Sequence, residues 1–139
     1  MKWHVSSEQE TAQVAAKLAP LLKKGDVVLL NGTLGVGKTT FVRALIRHLF
    51  NKKIEVPSPT FTLLQTYDTP HFIIFHFDFY RLKTPEEAYE IGLEDALTDG
   101  VSFIEWPDKV MALLPKKHKS VTLQLLGDGT RIITTEGFK

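Results

Sequence analysis

Residues 32 to 39 read Gly32-Thr-Leu-Gly35-Val-Gly37-Lys38-Thr39. This is the G-x-x-x-x-G-K-[ST] pattern of a phosphate-binding loop, and it constrains the fold before any other feature does, because such a loop joins a strand to a helix inside a parallel α/β sheet. Asp26-Val-Val-Leu-Leu-Asn31 immediately before it is a short apolar run suited to a buried strand. Thr40 to Phe50 immediately after it puts Phe41, Leu45 and Leu49 on one helical face. In a loop of this kind the backbone N–H groups converge on phosphate oxygens, and the positive end of the following helix faces the anion. Lys38 is expected to reach the β- and γ-phosphates, and the Thr39 hydroxyl to bind Mg²⁺.

A chain of 139 residues with 43% hydrophobic and 24% charged side chains is expected to form a single domain, residues 1–139, with a sizeable core. Its net charge of +1 gives no strong field towards nucleic acid or membrane. The absence of cysteine excludes disulfides, thiol catalysis and cysteine-based zinc sites. The first ten residues carry no apolar signal segment, and no stretch approaches a membrane span, so the expected location is the cytoplasm.

Ser7 and Glu10 fit a capping box for a first helix, with Val14, Leu18, Leu21 and Leu22 behind it at helical spacing and Pro20 ending or kinking it near Ala19. Pro57 and Pro59 make residues 55–59 a loop. Residues 60–67 and 72–78 read as an antiparallel hairpin turning at 68–71. Thr84 to Glu87 forms a second capping box, for a helix that Gly92 breaks, with another short helix over 93–97. A buried strand follows at 101–105, a short helix at 107–114, and a terminal hairpin of 120–126 with 131–135 around Gly127-Asp-Gly129. The expected architecture is a three-layer α/β P-loop NTPase sheet, with a parallel core and antiparallel edge strands.

Turnover requires an acid near Mg²⁺ and a group that positions the attacking oxygen. Asp78 closes the apolar run 72–77, and Glu105 closes 101–104. Either could hold the metal while the other, or Thr60, orients water. Ser58-Pro-Thr60 is a stiff loop with the position of a γ-phosphate sensor. Arg81 could clamp phosphate or simply be a surface cation, and His76, on the same strand face as Asp78, reads as a structural residue. Lys116-Lys-His-Lys119 reads as a solvated basic loop. Asn51-Lys-Lys-Ile54 begins like the guanine-specific Asn-Lys-x-Asp motif but ends in Ile and lies too early, so adenine is the expected base.

Together, Asn31 to Thr40, Ser58-Pro-Thr-Phe-Thr-Leu63, His76-Phe-Asp-Phe-Tyr-Arg-Leu82, Pro85-Glu-Glu87 and Ile104-Glu-Trp-Pro107 resemble, in order and spacing, the TsaE (YjeE) family of bacterial P-loop ATPases. The resemblance implies that Gly35, Val36, Gly37, Lys38, Thr39 and Thr40 bind ATP or ADP, that Thr39 and Glu105 are metal sites, and that Asp78 takes part in nucleotide handling. It further implies nucleotide contacts from Glu8 in the first helix and Arg131 in the terminal hairpin. Thr33 departs from the family's frequent Asp, with little expected effect. The implied partner is the TsaB–TsaD heterodimer, which transfers a threonylcarbamoyl group to adenosine 37 of tRNAs reading ANN codons. Contact with tRNA is expected to run through that complex. The alternatives are a small-molecule or nucleoside kinase, which the chain's lack of an obvious lid disfavours, and a nucleotide-regulated adaptor with negligible hydrolysis.

Overall fold

The computed structural model describes residues 1–33 and 35–138; Leu34, inside the loop pattern, and Lys139 lie outside the described residues. Among these, β1 (Lys2–Val5), β2 (Val27–Asn31), β3 (Leu64–Asp68), β4 (Ile73–Asp78), β5 (Gly100–Glu105), β6 (Lys119–Leu125) and β7 (Arg131–Glu136) join in one sheet. The helices are α1 (Glu8–Leu18), α2 (Lys38–Phe50), α3 (Glu86–Glu90) and α4 (Leu93–Asp99).

The spatial order is β1-β7-β6-β2-β5-β4-β3. The inner strands β6, β2, β5 and β4 run parallel, whereas β3, β7 and β1 are added antiparallel at the two edges. A strand covered on both faces reads as an unbroken apolar run, which is why Val27 to Leu30 and Val101 to Ile104 are buried without alternation except at Ser102, itself buried.

Helices cover both faces. On one, Val28, Leu30, Ile74 and Phe103 pack with Val14 and Leu18 of α1 and with Phe41, Val42, Leu45 and Ile46 of α2. On the other, Val27, Leu29, Phe77 and Ile104 pack with Ala88 of α3, Leu93 and Ala96 of α4, and Val110. Because the inner strands are parallel, Asn31, Glu105 and Asp78 end on one rim; Asp78 is the register partner of Glu105, and Leu30 of Glu105 on the other side. That rim carries the phosphate-loop residues.

Local signals hold with adjustments. Ser7 Oγ accepts from Glu10 N at 3.1 Å, but the Glu10 carboxylate caps Ser6 N at 2.7 Å rather than its own cap residue. Glu87 Oε1 accepts from both Lys83 N and Thr84 N. Pro20 ends α1 in a 3-10 turn over Ala19–Leu21, and Pro107–Leu113 is also 3-10. The expected strand over 60–67 starts only at Leu64, because Leu63 N bonds Pro59 O at 2.7 Å and Leu63 adopts φ 67°. No strand is expected over β1 from local pattern: four residues with one buried side chain offer little periodicity, and only pairing with β7 defines the strand. Among the described residues, no helix is long and apolar enough to cross a membrane.

Candidate functional site

The strand β2 ends at Asn31 and the chain turns sharply into α2. A side chain at Gly32 would put its Cβ 2.7 Å from Val36 Cγ1 and 2.8 Å from the Leu123 carbonyl oxygen, so the bend closes only without one. Gly37 caps α2 at φ 110°, in the left-handed region that glycine enters without strain. With the first-turn N–H groups of α2 unpaired within the helix, this end attracts negative charge.

Around it lies a cavity of about 260 Å³ lined by Gly35, Gly37, Lys38, Thr39, Thr40, Ser58, Thr60, Asp78, Glu105 and Trp106. Val5, Ser7, Glu8, Thr11, Gly37, Thr40, Leu123 and Arg131 line a smaller adjoining hollow. Shared walls at Gly37 and Thr40 set the two on either side of the α2 start. Of the residues singled out in the sequence, Lys38, Thr39, Thr40, Thr60, Asp78 and Glu105 thus meet in one cavity, and Glu8 and Arg131 meet in its neighbour. Val36 is buried, and its carbonyl accepts from Arg131 Nε at 2.7 Å.

Lys38 is 5% exposed. Its ammonium donates to Gly32 O at 2.8 Å and lies 3.5 Å from the centroid of the Trp106 ring. Burial pushes its pKa below that of an ordinary lysine, while Glu105, Asp78 and Asp108 pull it back upwards. Thr39 Oγ1 donates to Glu105 Oε2 at 2.9 Å. The Asp78 carboxylate is engaged elsewhere: Thr60 Oγ1 donates to Oδ2 at 3.0 Å and Tyr80 N to Oδ1 at 2.9 Å. With the Thr60 proton so directed, Ser58 Oγ, 2.8 Å away, is the donor to Thr60. The two acids are neighbours in the sheet yet serve different groups: Glu105 the first turn of α2, Asp78 the loop that precedes β3.

These residues fit a nucleotide with Mg²⁺ by the chemistry of their donors. The ammonium and helix start suit phosphate oxygens, and a hydroxyl beside a carboxylate suits a hard cation. Among the described residues no three His, Asp or Glu side chains converge as a metal cage, and Mg²⁺ rarely uses one, since it is held by one or two carboxylates with substrate phosphates and water.

The sequence model of the family described as Threonylcarbamoyl adenosine biosynthesis protein TsaE matches residues 5–133. The chain belongs to the TsaE family. It is 50% identical over 134 residues to the tRNA threonylcarbamoyladenosine biosynthesis protein TsaE of Rickettsia bellii, covering 95% of this chain and 93% of that one. It is 34% identical over 135 residues to the protein of the same name from Bacillus subtilis, covering 96% and 84%. The crystal structure of Bacillus subtilis YdiB matches it with a TM-score of 0.80 and 31% identity, over 97% of this chain and 83% of that one. The fold of this TsaE-family chain is that of the P-loop NTPases, with a parallel core and antiparallel edges.

Three contacts around the candidate site depend on the folded chain. His76, which the sequence marks as a structural residue, is fully buried with Nε2 2.6 Å from Glu105 Oε2. Its strand position was readable, but its partner depends on the β4–β5 register. Trp106, quoted only as part of a motif, adopts φ 57° and turns its ring over Lys38. The residue before a proline favours extended backbone, so no local signal points to this conformation. Lys109 Nζ donates to the carbonyls of Tyr80 and Leu82, fastening the segment after β4. Arg81 lies 4.3 Å from the exposed Phe61 ring and does not line the cavity, so of its two readings the surface cation is the one observed.

Proposed function

We propose that this chain is an Mg²⁺-dependent ATPase that acts in the cytoplasm with the TsaB–TsaD complex in forming threonylcarbamoyladenosine at position 37 of tRNAs reading ANN codons, reaching tRNA through that complex. Membership of the TsaE family supports the tRNA role. One observation carries the ATPase reading: the Lys38 ammonium, the Thr39 hydroxyl and the Glu105 carboxylate converge at the start of α2.

Lys38 and the loop amides of Gly35 to Thr40 would hold the phosphates of ATP, and Thr39 with Glu105 would hold Mg²⁺. When bound, the ion supplies charge neutralisation on the phosphate oxygens. Lys38 is already desolvated by burial, so its charge acts in a medium that screens it weakly. Thr39 would offer a hydroxyl lone pair to the ion while its proton stays on Glu105 Oε2, and Glu105 would complete the site through its carboxylate. Asp78 holds Thr60 through its carboxylate, so Thr60 is poised to position the attacking water as part of the Ser58–Thr60 loop. Glu8 and Arg131, in the adjoining hollow, are assigned to the remainder of the nucleotide.

The test is ADP release measured with the chain alone and with TsaB–TsaD and tRNA. Release that depends on Mg²⁺ and rises with the partners supports the reading. No ADP under any condition supports the adaptor, and a phosphorylated small product supports a kinase. The cavity wall contributes Lys38 as its cation and Arg81 lies away from it, which weighs against a kinase acceptor pocket.

A further inference from the structure

We propose that His76 is a positioning residue that fixes the Glu105 carboxylate for Mg²⁺, an inference that rests on the reading of Glu105 as the acid beside the ion. His76 lies on β4, opposite Phe103 of β5, one side-chain position inward from the Asp78–Glu105 pair on the same face. It is 0% exposed and does not line the cavity, so it acts on the site only through a neighbour. That neighbour is Glu105: Nε2 and Oε2 are 2.6 Å apart.

The same Oε2 accepts from Thr39 Oγ1 at 2.9 Å. Two donors from two elements, β4 behind and α2 in front, therefore meet on one oxygen, and neither engages Oε1. A carboxylate on a strand end has free torsions of its own, and a short bond from a buried ring removes them. Thr39 would itself face the ion, so of the two donors His76 is the one that would hold Glu105 from outside the metal's own ligands. The acid then keeps its orientation through metal entry.

The other ring nitrogen strengthens the argument. His76 Nδ1 is buried and has no hydrogen-bond partner among the described residues. With Nε2 facing the carboxylate, Nδ1 stays buried and unpaired, an arrangement that works against stability. A leucine in this slot would bury no unpaired atom. The imidazole offers what leucine lacks, a donor aimed at Glu105. Partners that orient a metal ligand from behind in this way, when removed, typically weaken metal affinity by about 10- to 100-fold.

The experiment compares H76L, which removes the donor, with H76Q, whose amide nitrogen reaches about as far as Nε2. Binding of a non-hydrolysable ATP analogue is followed by calorimetry as Mg²⁺ is titrated, and again in EDTA. H76L is expected to raise the half-saturating Mg²⁺ concentration by about tenfold or more, with affinity in EDTA nearly unchanged, and H76Q to recover most of the loss. Should H76L not fold, H76N, too short to reach Glu105, replaces it. An unchanged Mg²⁺ midpoint in the donor-less variant, or H76Q no better than that variant, overturns the proposal. Nitrogen NMR of the ligand-free protein gives a second readout: a proton on Nε2 supports it, and an unprotonated Nε2 overturns it. E105A separates the two levels of inference. If E105A leaves the Mg²⁺ midpoint of the wild type in place, the metal reading of Glu105 fails and takes this proposal with it. If E105A shifts the midpoint and H76L does not, His76 alone loses its role.

Discussion

The Lys38 ammonium spans between the Gly32 carbonyl and the face of Trp106, so the cation proposed to meet phosphate is already engaged by two groups of the protein. An aromatic face is a weak partner, worth about 0.5–2 kcal/mol, and under the proposed reading a phosphate oxygen would displace it.

Two outcomes follow for nucleotide addition. The indole emission of Trp106 is expected to change when Mg·ATP is added, whereas W106F, which keeps only Trp3, stays silent. Emission unaltered at saturating nucleotide would mean that the ammonium remains on the ring. K38A is expected to weaken nucleotide binding by about 10- to 100-fold, the range for a hydrogen bond to a charged group, as read by calorimetry.

Thr39 and Glu105 share one hydrogen bond and are assigned one ion, so their substitutions should not add. E105A is expected to slow Mg²⁺-dependent turnover more than it weakens nucleotide binding. T39A should do the same, and the double variant should be little worse than the poorer single one. Coupling of about 0.5–3 kcal/mol is usual for contacting residues. Strict additivity in a double-mutant cycle would show that the two serve different steps.

Asp78 accepts from Thr60 Oγ1 and from Tyr80 N while only 2% exposed. D78A leaves both donors unpaired and is expected to cost about 1–3 kcal/mol in chemical denaturation. T60V removes one donor and keeps the acceptor, so it should cost less. Protease cleavage near residues 57–61 should quicken in both variants, since the loop loses its tether. Equal resistance to cleavage in wild type and D78A would separate loop from acid.

Acid pH should act through three surface carboxylates. Backbone N–H groups of Ser6 and of Thr84 and Lys83 hold Glu10 and Glu87 below the ordinary carboxylate range, and the Thr130 hydroxyl does so for Asp128. Each has a lower pKa folded than unfolded. Its contribution is therefore complete above the ordinary values near about 4, and it disappears as pH falls through the lowered ones. The thermal midpoint should decline below about pH 4, and E87Q should flatten that decline. A wild-type midpoint constant down to about pH 3 contradicts the assignment.

Much of the architecture is written in local pattern. The run Val27 to Leu30 signals a strand buried on both faces, and the phosphate-loop spacing fixes what lies on either side of it. Asp78 and Glu105 stand out because each terminates such a run, and parallel pairing then brings them side by side. What stayed hidden is what register decides. Sequence spacing cannot reveal that His76 faces Glu105 rather than a core polar group, nor that Asp78 serves Thr60 while Glu105 serves Thr39. The turn at 60–63 is hidden because Thr-Phe-Thr-Leu is strand-like in composition, whereas a left-handed Leu63 overrides that preference. Trp106 stands far from Lys38 in sequence, and only the folded chain brings its ring to the ammonium.

The first strand of the sheet hydrogen-bonds with the last, and the Met1 amine reaches the carbonyl of Thr135, 134 positions along the chain. During synthesis β1 has nothing to pair with until β7 has left the ribosome. The hollow shared by Glu8 and Arg131 therefore depends on bringing together segments far apart in the chain. The two walls of that hollow are thus joined by the longest-range pairing in the sheet, whereas the bend from β2 into α2 is built within one short stretch of chain.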